Sequence, residues 1–206
     1  MATQWHVLAA VESMSGDSIW LNHFVTYGGI LYLLRLPSSW DAPAAMELEG
    51  VFIQCCHHCL VANSAACRAF LDIEGGVESL AVRLVSPNVD VKLQCVQILS
   101  SLACVSAESY RSTMLTLEKL ATIQLSAKNW PRLWPIVDLL RNSEYTELKL
   151  GCMRLINAIT WSPSNVIERD WARQELERLD ITSIVAYLRR AAASKDGIQH
   201  MLDEQL

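Results

Sequence analysis

Residues 55–59 read Cys-Cys-His-His-Cys, and Cys67 follows shortly after. Four of the seven cysteines and two of the five histidines thus fall within residues 55–67. Two chemistries suit such a set: zinc ligation by thiolate and imidazole, or nucleophilic attack by a Cys–His pair. Both need the side chains to converge. On a helix, neighbours point about 100° apart, and only residues three or four apart share a face. Cys55 can meet His58 or Cys59, and Cys56 can meet Cys59. That supplies two or three ligands where a structural zinc site takes four, and no second cluster completes the set. A Cys55–His58 pair has no evident third group to orient the base. GxSxG, HExxH, Walker and GxGxxG patterns are absent from the chain. The expectation is a protein that is not an enzyme and that takes no metal and no cofactor.

The elements that would carry these residues emerge from a repeat. "DVKLQCVQILSSLACVS" (90–106) and "ELKLGCMRLINAITWSP" (147–163) align without gaps, matching Leu93 with Leu150, Cys95 with Cys152 and Leu99 with Ile156. Apolar positions recur at i, i+3, i+4 and i+7, one face of an amphipathic helix. The cysteine-rich stretch fits the same template: Ile53 falls in the column of Cys95 and Cys152, Cys56 in that of Ile98 and Leu155, and Cys59 in that of Ser101 and Ala158. From Ile53 to Cys95 is 42 residues, within the roughly 40–47 residue period of armadillo and HEAT arrays. From Cys95 to Cys152 is 57, and "SAESYRSTMLTLEKLATIQLSAKN" (106–129) accounts for the excess as an elongated or inserted helix. Shorter helices are expected over 74–86, after a glycine pair, and over 130–142. Residues 17–39 read as two helices broken at Gly28–Gly29, with a loop around Pro43 before the next. Two further helices fill 164–194, and a polar tail follows from 194 to 206. The expected architecture is one all-α domain over 1–206, an armadillo/HEAT-like right-handed solenoid of about four repeats, near 17–39, 46–86, 88–142 and 144–190.

Composition agrees. Half of the residues are apolar, and only eight glycines and six prolines occur, too few for a turn-rich β fold. A net charge of −5 with no basic cluster argues against nucleic acid as a partner. The most apolar window, 24–36, is too short to span a bilayer, and the N-terminus lacks the pattern of a signal peptide. Within the repeat, Cys56 and His57 occupy columns that are apolar elsewhere and are expected inside. Cysteine serves there as a small hydrophobe. Trp130, Trp134 and Trp171 are expected as core anchors, and Trp161, at the end of a repeat helix, as a residue a groove can expose.

"LWPIVDLLRNSEYTELKLGCMRLINAITWSP" (133–163), "ARQELERLDI" (172–181) and "CLVANSAACRAFLDIEGGVESLAVRLVSPN" (59–88) together resemble the regulatory region of diaphanous-related formins. That region is the GTPase-binding and formin-homology-three armadillo module, or diaphanous inhibitory domain. Asp180 departs from the family pattern, which has glycine there. Nothing in the chain resembles the actin-nucleating formin regions. The resemblance implies a concave groove lined by the third helices, receiving an amphipathic autoregulatory helix from a formin C-terminus. Its lining would be His58, Ala62, Ile98, Ser101, Cys104, Arg154 and Asn157. The column His58, Ser100, Asn157 is polar in all three copies. The acidic net charge suits a basic tail on the incoming helix. A Rho-family small GTPase would contact Asn63 and its neighbours and displace the helix, which controls actin indirectly. The setting implied is cytoplasmic and cytoskeleton-associated, at the cell cortex. A different armadillo or HEAT scaffold, such as an engulfment-and-motility-type adaptor, is the alternative.

Overall fold

The computed structural model describes residues 6, 9–11, 13–14, 17–35, 42–61, 63–125 and 131–193. Its elements are α1 (Ser18–Thr26), α2 (Gly29–Arg35), α3 (Ala42–Val61), α4 (Ser64–Leu71), α5 (Gly76–Ala81), a 3₁₀ turn (Val82–Val85), α6 (Val89–Ala103), α7 (Ala107–Leu125), α8 (Trp134–Asn142), α9 (Thr146–Trp161), α10 (Val166–Arg178) and α11 (Ile181–Ala193). No strand occurs among the described residues.

Helix starts are written into the sequence as side-chain caps. A helix leaves its first N–H groups without partners, and Asp or Asn oxygens accept from them. Asp17 accepts from Ile19 and Trp20, Asn63 from Ala65 and Ala66, Asn88 from Asp90 and Val91, and Asn165 from Ile167. Before α7 the serines reciprocate: Ser109 N–H donates to Ser106 Oγ at 3.1 Å, and Ser106 N–H to Ser109 Oγ at 2.9 Å. The break between α1 and α2 falls at Gly28, whose φ of +77° costs glycine little. The break between α10 and α11 falls at Asp180, held at φ +60° without that freedom.

Two local expectations change. Pro43 lies in the first turn of α3 rather than in a loop, because a first-turn residue needs no N–H. The segment expected as one helix over 74–86 is α5 followed by the 3₁₀ turn, ending where Ser86 turns extended before Pro87. The inserted helix of 106–129 is present as the 19-residue α7. Residues 126–130, with Trp130, and the tail 194–206 lie outside the described residues.

Packing makes these helices an armadillo-like stack, the all-α class the repeat predicts. The three template helices α3, α6 and α9 lie side by side with α6 in the middle, while α7 and α8 cover α6 and α9. Close approach of α6 and α9 depends on Gly151: a Cβ there would lie 3.2 Å from Leu93 Cδ1 and 3.5 Å from Val96 Cγ1. The continuous core takes Phe52, Ile53 and Leu60 from α3, Leu99 and Leu102 from α6, and Leu155 and Ile159 from α9. A fully buried Leu, Ile or Phe contributes roughly 1.5–3 kcal/mol by leaving water, so this shared interior holds the stack.

A charged corner closes the C-terminal half. Glu175 of α10, 8% exposed, accepts the Leu133 N–H at 2.8 Å and pairs with Arg132 at 3.0 Å. One buried carboxylate therefore satisfies the start of α8 and ties α10 to it. The "ARQEL" stretch thus has a physical role in addition to its resemblance.

Candidate protein-interaction groove

The cysteine cluster divides by helix face. Cys55, Cys56 and Cys59 are buried free thiols, as is Cys67, whose Sγ donates to the Leu60 carbonyl at 2.9 Å. Burial pushes the Cys59 thiol up to about 12, and does the same for Cys95 and Cys152. Cys56 is raised well above its ordinary value, by burial first and then by its cysteine neighbours. A nucleophile or zinc ligand must be a thiolate, so this environment works against both chemistries. No grouping of three or more His, Cys, Asp or Glu able to hold a metal occurs among the described residues.

His57, expected inside, is half-buried. Desolvation and then the neighbouring His58 lower its pKa, partly offset by its hydrogen bond with Gln97 of α6. His58 is exposed. The imidazole of α3 thus meets the amide of α6 on the open side of the layer.

Of the expected groove residues, His58, Cys104 and Arg154 are exposed, and Ser101 and Asn157 are half-buried. Ile98 is a correction: it is 0% exposed, on the core-facing side of α6, and no partner can reach it. The same column buries Cys56 and Leu155, so the whole column faces inward. Ala62 lies outside the described residues. Ser101 Oγ donates to the Gln97 carbonyl at 3.1 Å, and Cys104 Sγ contacts Ser162 Oγ at 3.0 Å, pinning α6 to the end of α9. The strip that remains runs through His58 on α3, Gln97, Ser101 and Cys104 on α6, and Arg154 and Asn157 on α9.

Of two exposed tryptophans, Trp161 lies open as expected and Trp171 is a correction. Trp161 is 70% exposed, with the Arg173 guanidinium 5.8 Å from its ring centroid. Trp171 is 58% exposed rather than a core anchor. It lines a cleft of about 240 Å³ between α7 and α10 with Tyr110, Met114, Leu115 and the Arg111–Glu168 ion pair. Helical periodicity alone cannot say which of two opposed faces of α10 meets α7.

Asn63 serves its own helix. Its carbonyl caps α4, and its amide donates to Asn22 Oδ1 at 3.3 Å. Charge in the strip is local rather than net: Arg154 stands mid-way along α9, whereas Asp90 and Glu147 stand in the first turns of α6 and α9. No helix of the described residues is long and apolar enough to cross a membrane.

A side-by-side helical layer with one open polar and aromatic strip is the geometry of an armadillo-like module. No protein-family model matches the chain. In sequence it is 26% identical to human protein diaphanous homolog 2 over 193 residues, covering 92% of this chain and 17% of that protein. In fold it matches E. histolytica Formin1 bound to EhRho1-GTPγS, with a TM-score of 0.76 at 15% identity over 97% of this chain and 70% of that one. A designed armadillo repeat protein in complex with a (KR)4 peptide matches with a TM-score of 0.53 at 14% identity, covering 98% of this chain and 90% of that one. The chain is an armadillo-like module similar to the regulatory region of diaphanous-related formins.

Proposed function

We propose that this chain is the regulatory interaction module of a formin, binding an amphipathic autoinhibitory helix across α3, α6 and α9. A Rho-family small GTPase relieves that contact and so controls actin filament nucleation. The proposed setting is the cytoplasm, in association with the actin cytoskeleton at the cell cortex, and the module is one armadillo domain. The observation that carries the reading is the open strip His58–Ser101–Cys104–Arg154–Asn157, polar or small at its surface and apolar beneath. An incoming helix needs such a trough, with few polar groups to orient it. The likeness to diaphanous homolog 2 and to Formin1 supports the family of partners. Asn63 enters as a proposed GTPase contact through its exposed neighbourhood, since its own amide is engaged with α4 and Asn22.

The test is titration of the full chain with a synthetic leucine-rich amphipathic helix, followed by calorimetry. Ser101→Glu is expected to weaken binding by about tenfold or more, since it buries a charge under the ligand. A melting curve checks that the variant is folded. Undiminished binding by folded Ser101→Glu would remove the groove assignment and favour an adaptor that uses another surface.

A further inference from the structure

We infer that this groove, in a chain of net charge −5, selects a helix carrying a carboxylate beside its apolar stripe, which Arg154 reads while Trp161 receives an apolar side chain. The inference rests on the helix-in-groove reading and names the chemistry of its occupant.

Arg154, Asn157 and Trp161 stand at i, i+3 and i+7 on α9, so they share one face, with the outer two separated by about 10 Å along the axis. Helical neighbours of Arg154 at three and four residues are Leu150, Gly151, Asn157 and Ala158, none of them acidic. In the aligned column α6 offers Gln97, also uncharged. The ion pairs of the described residues engage Arg83, Arg111, Lys119, Arg132 and Arg173, but not Arg154. The nearest acid on its own face, Glu147, lies two turns away.

Trp161 adds the second half of the site. Its ring is exposed, with the Arg173 guanidinium 5.8 Å from its centroid; Arg173 is itself paired with Asp170 at 3.7 Å, which leaves Arg154 as the cation open to a ligand on this face. The Cys104–Ser162 contact holds the adjacent end of α6 against it. Trp and Arg are the residue types that dominate binding energy at interfaces, and a guanidinium takes a carboxylate in a two-point, planar contact. Charge complementarity thus points to an acidic side chain here, whatever the net charge of the whole chain. A basic residue of the ligand would suit the rim at Asp90 and Glu147, or Asp170 beyond Arg173, rather than the position of Arg154.

Two synthetic helical peptides test this, identical in their leucine stripe and differing in one flanking residue, Asp or Lys. The native chain is expected to bind the Asp peptide about tenfold more tightly, and Arg154→Glu to invert the preference. Arg154→Gln should abolish the preference without inverting it, and Trp161→Ala should weaken both peptides about tenfold or more. Raising salt should narrow the Asp–Lys difference. An unchanged preference in folded Arg154→Glu overturns the inference. If Ser101→Trp, a neutral block, abolishes both peptides while Arg154→Glu alters neither, the groove stands and only the role of Arg154 falls. If Ser101→Trp leaves both unaffected, the groove reading itself has failed.

Discussion

Helix α3 buries Cys55, Cys56 and Cys59 and turns His58 outward; α9 buries Cys152, Leu155 and Ile159 and turns Arg154 and Trp161 outward. The two helices follow one template and pack on opposite flanks of α6. Their inner columns accept cysteine, leucine or isoleucine because a packed interior asks for apolar volume and shape, which several residues supply. Their outer columns carry no such demand, and there the copies diverge into imidazole at one end and guanidinium with indole at the other. The repeat therefore conveys the fold, while its copies differ in the residues they expose. The flanks are also secured differently: the α3 end by thiols in the core, the α9 end through the buried Glu175 that joins α8 and α10.

Glu175→Ala should separate the two flanks most sharply. It leaves Arg132 unpaired and the Leu133 N–H unsatisfied, at a cost of about 3–5 kcal/mol in denaturant unfolding. Glu168→Ala removes a pair whose Arg111 is exposed and should cost at most ~1 kcal/mol. Equal losses would mean that Glu175 anchors nothing. At the other flank, Cys59→Ser places a hydroxyl in an apolar site and should cost about 1–3 kcal/mol. Native-state labelling with a thiol reagent should modify the exposed Cys104 well before the buried six. Rapid labelling of Cys56 or Cys59 would reopen a chemical role for the cluster.

Asp180→Gly should act in the opposite direction, stabilising the chain by about 0.5–1 kcal/mol because glycine adopts φ +60° without strain. A loss would show that the Asp180 side chain does more than fill a turn. The smallest effect concerns His57. Its folded-state pKa is lowered from 6.5, so the unfolded chain binds its proton first as pH falls. Stability is thus full above 6.5 and declines below it, and His57→Asn should flatten the melting temperature measured from pH 7.5 to 5.5. A variant with the native slope would assign that slope to other groups.

The turn at Gly28 and the apolar columns of α3, α6 and α9 are read directly from the linear sequence, and the caps Asp17, Asn63, Asn88 and Asn165, which the structure adds, act just as locally, within a turn of their own helices. Ile98 was legible as apolar, and its place among the groove residues fails for a physical reason. Ile98 is fully buried in the core that α6 shares with its neighbours, on the side of the helix turned away from the open strip of Gln97, Ser101 and Cys104. Trp171 was misplaced for a related reason, since α10 carries apolar residues on two faces and only its neighbours decide between them.

From the sequence alone came the helical repeat, its period, the breaks at Gly28–Gly29 and Pro87 and the inward placement of Cys56, all consequences of local geometry and apolar patterning. Tertiary structure alone decided that Glu175 reaches the start of α8, that Arg173 comes to the Trp161 ring, and that Trp171 stands open in the cleft between α7 and α10. Each of these depends on side chains brought together from helices distant in the chain, and no spacing along the chain encodes such a distance.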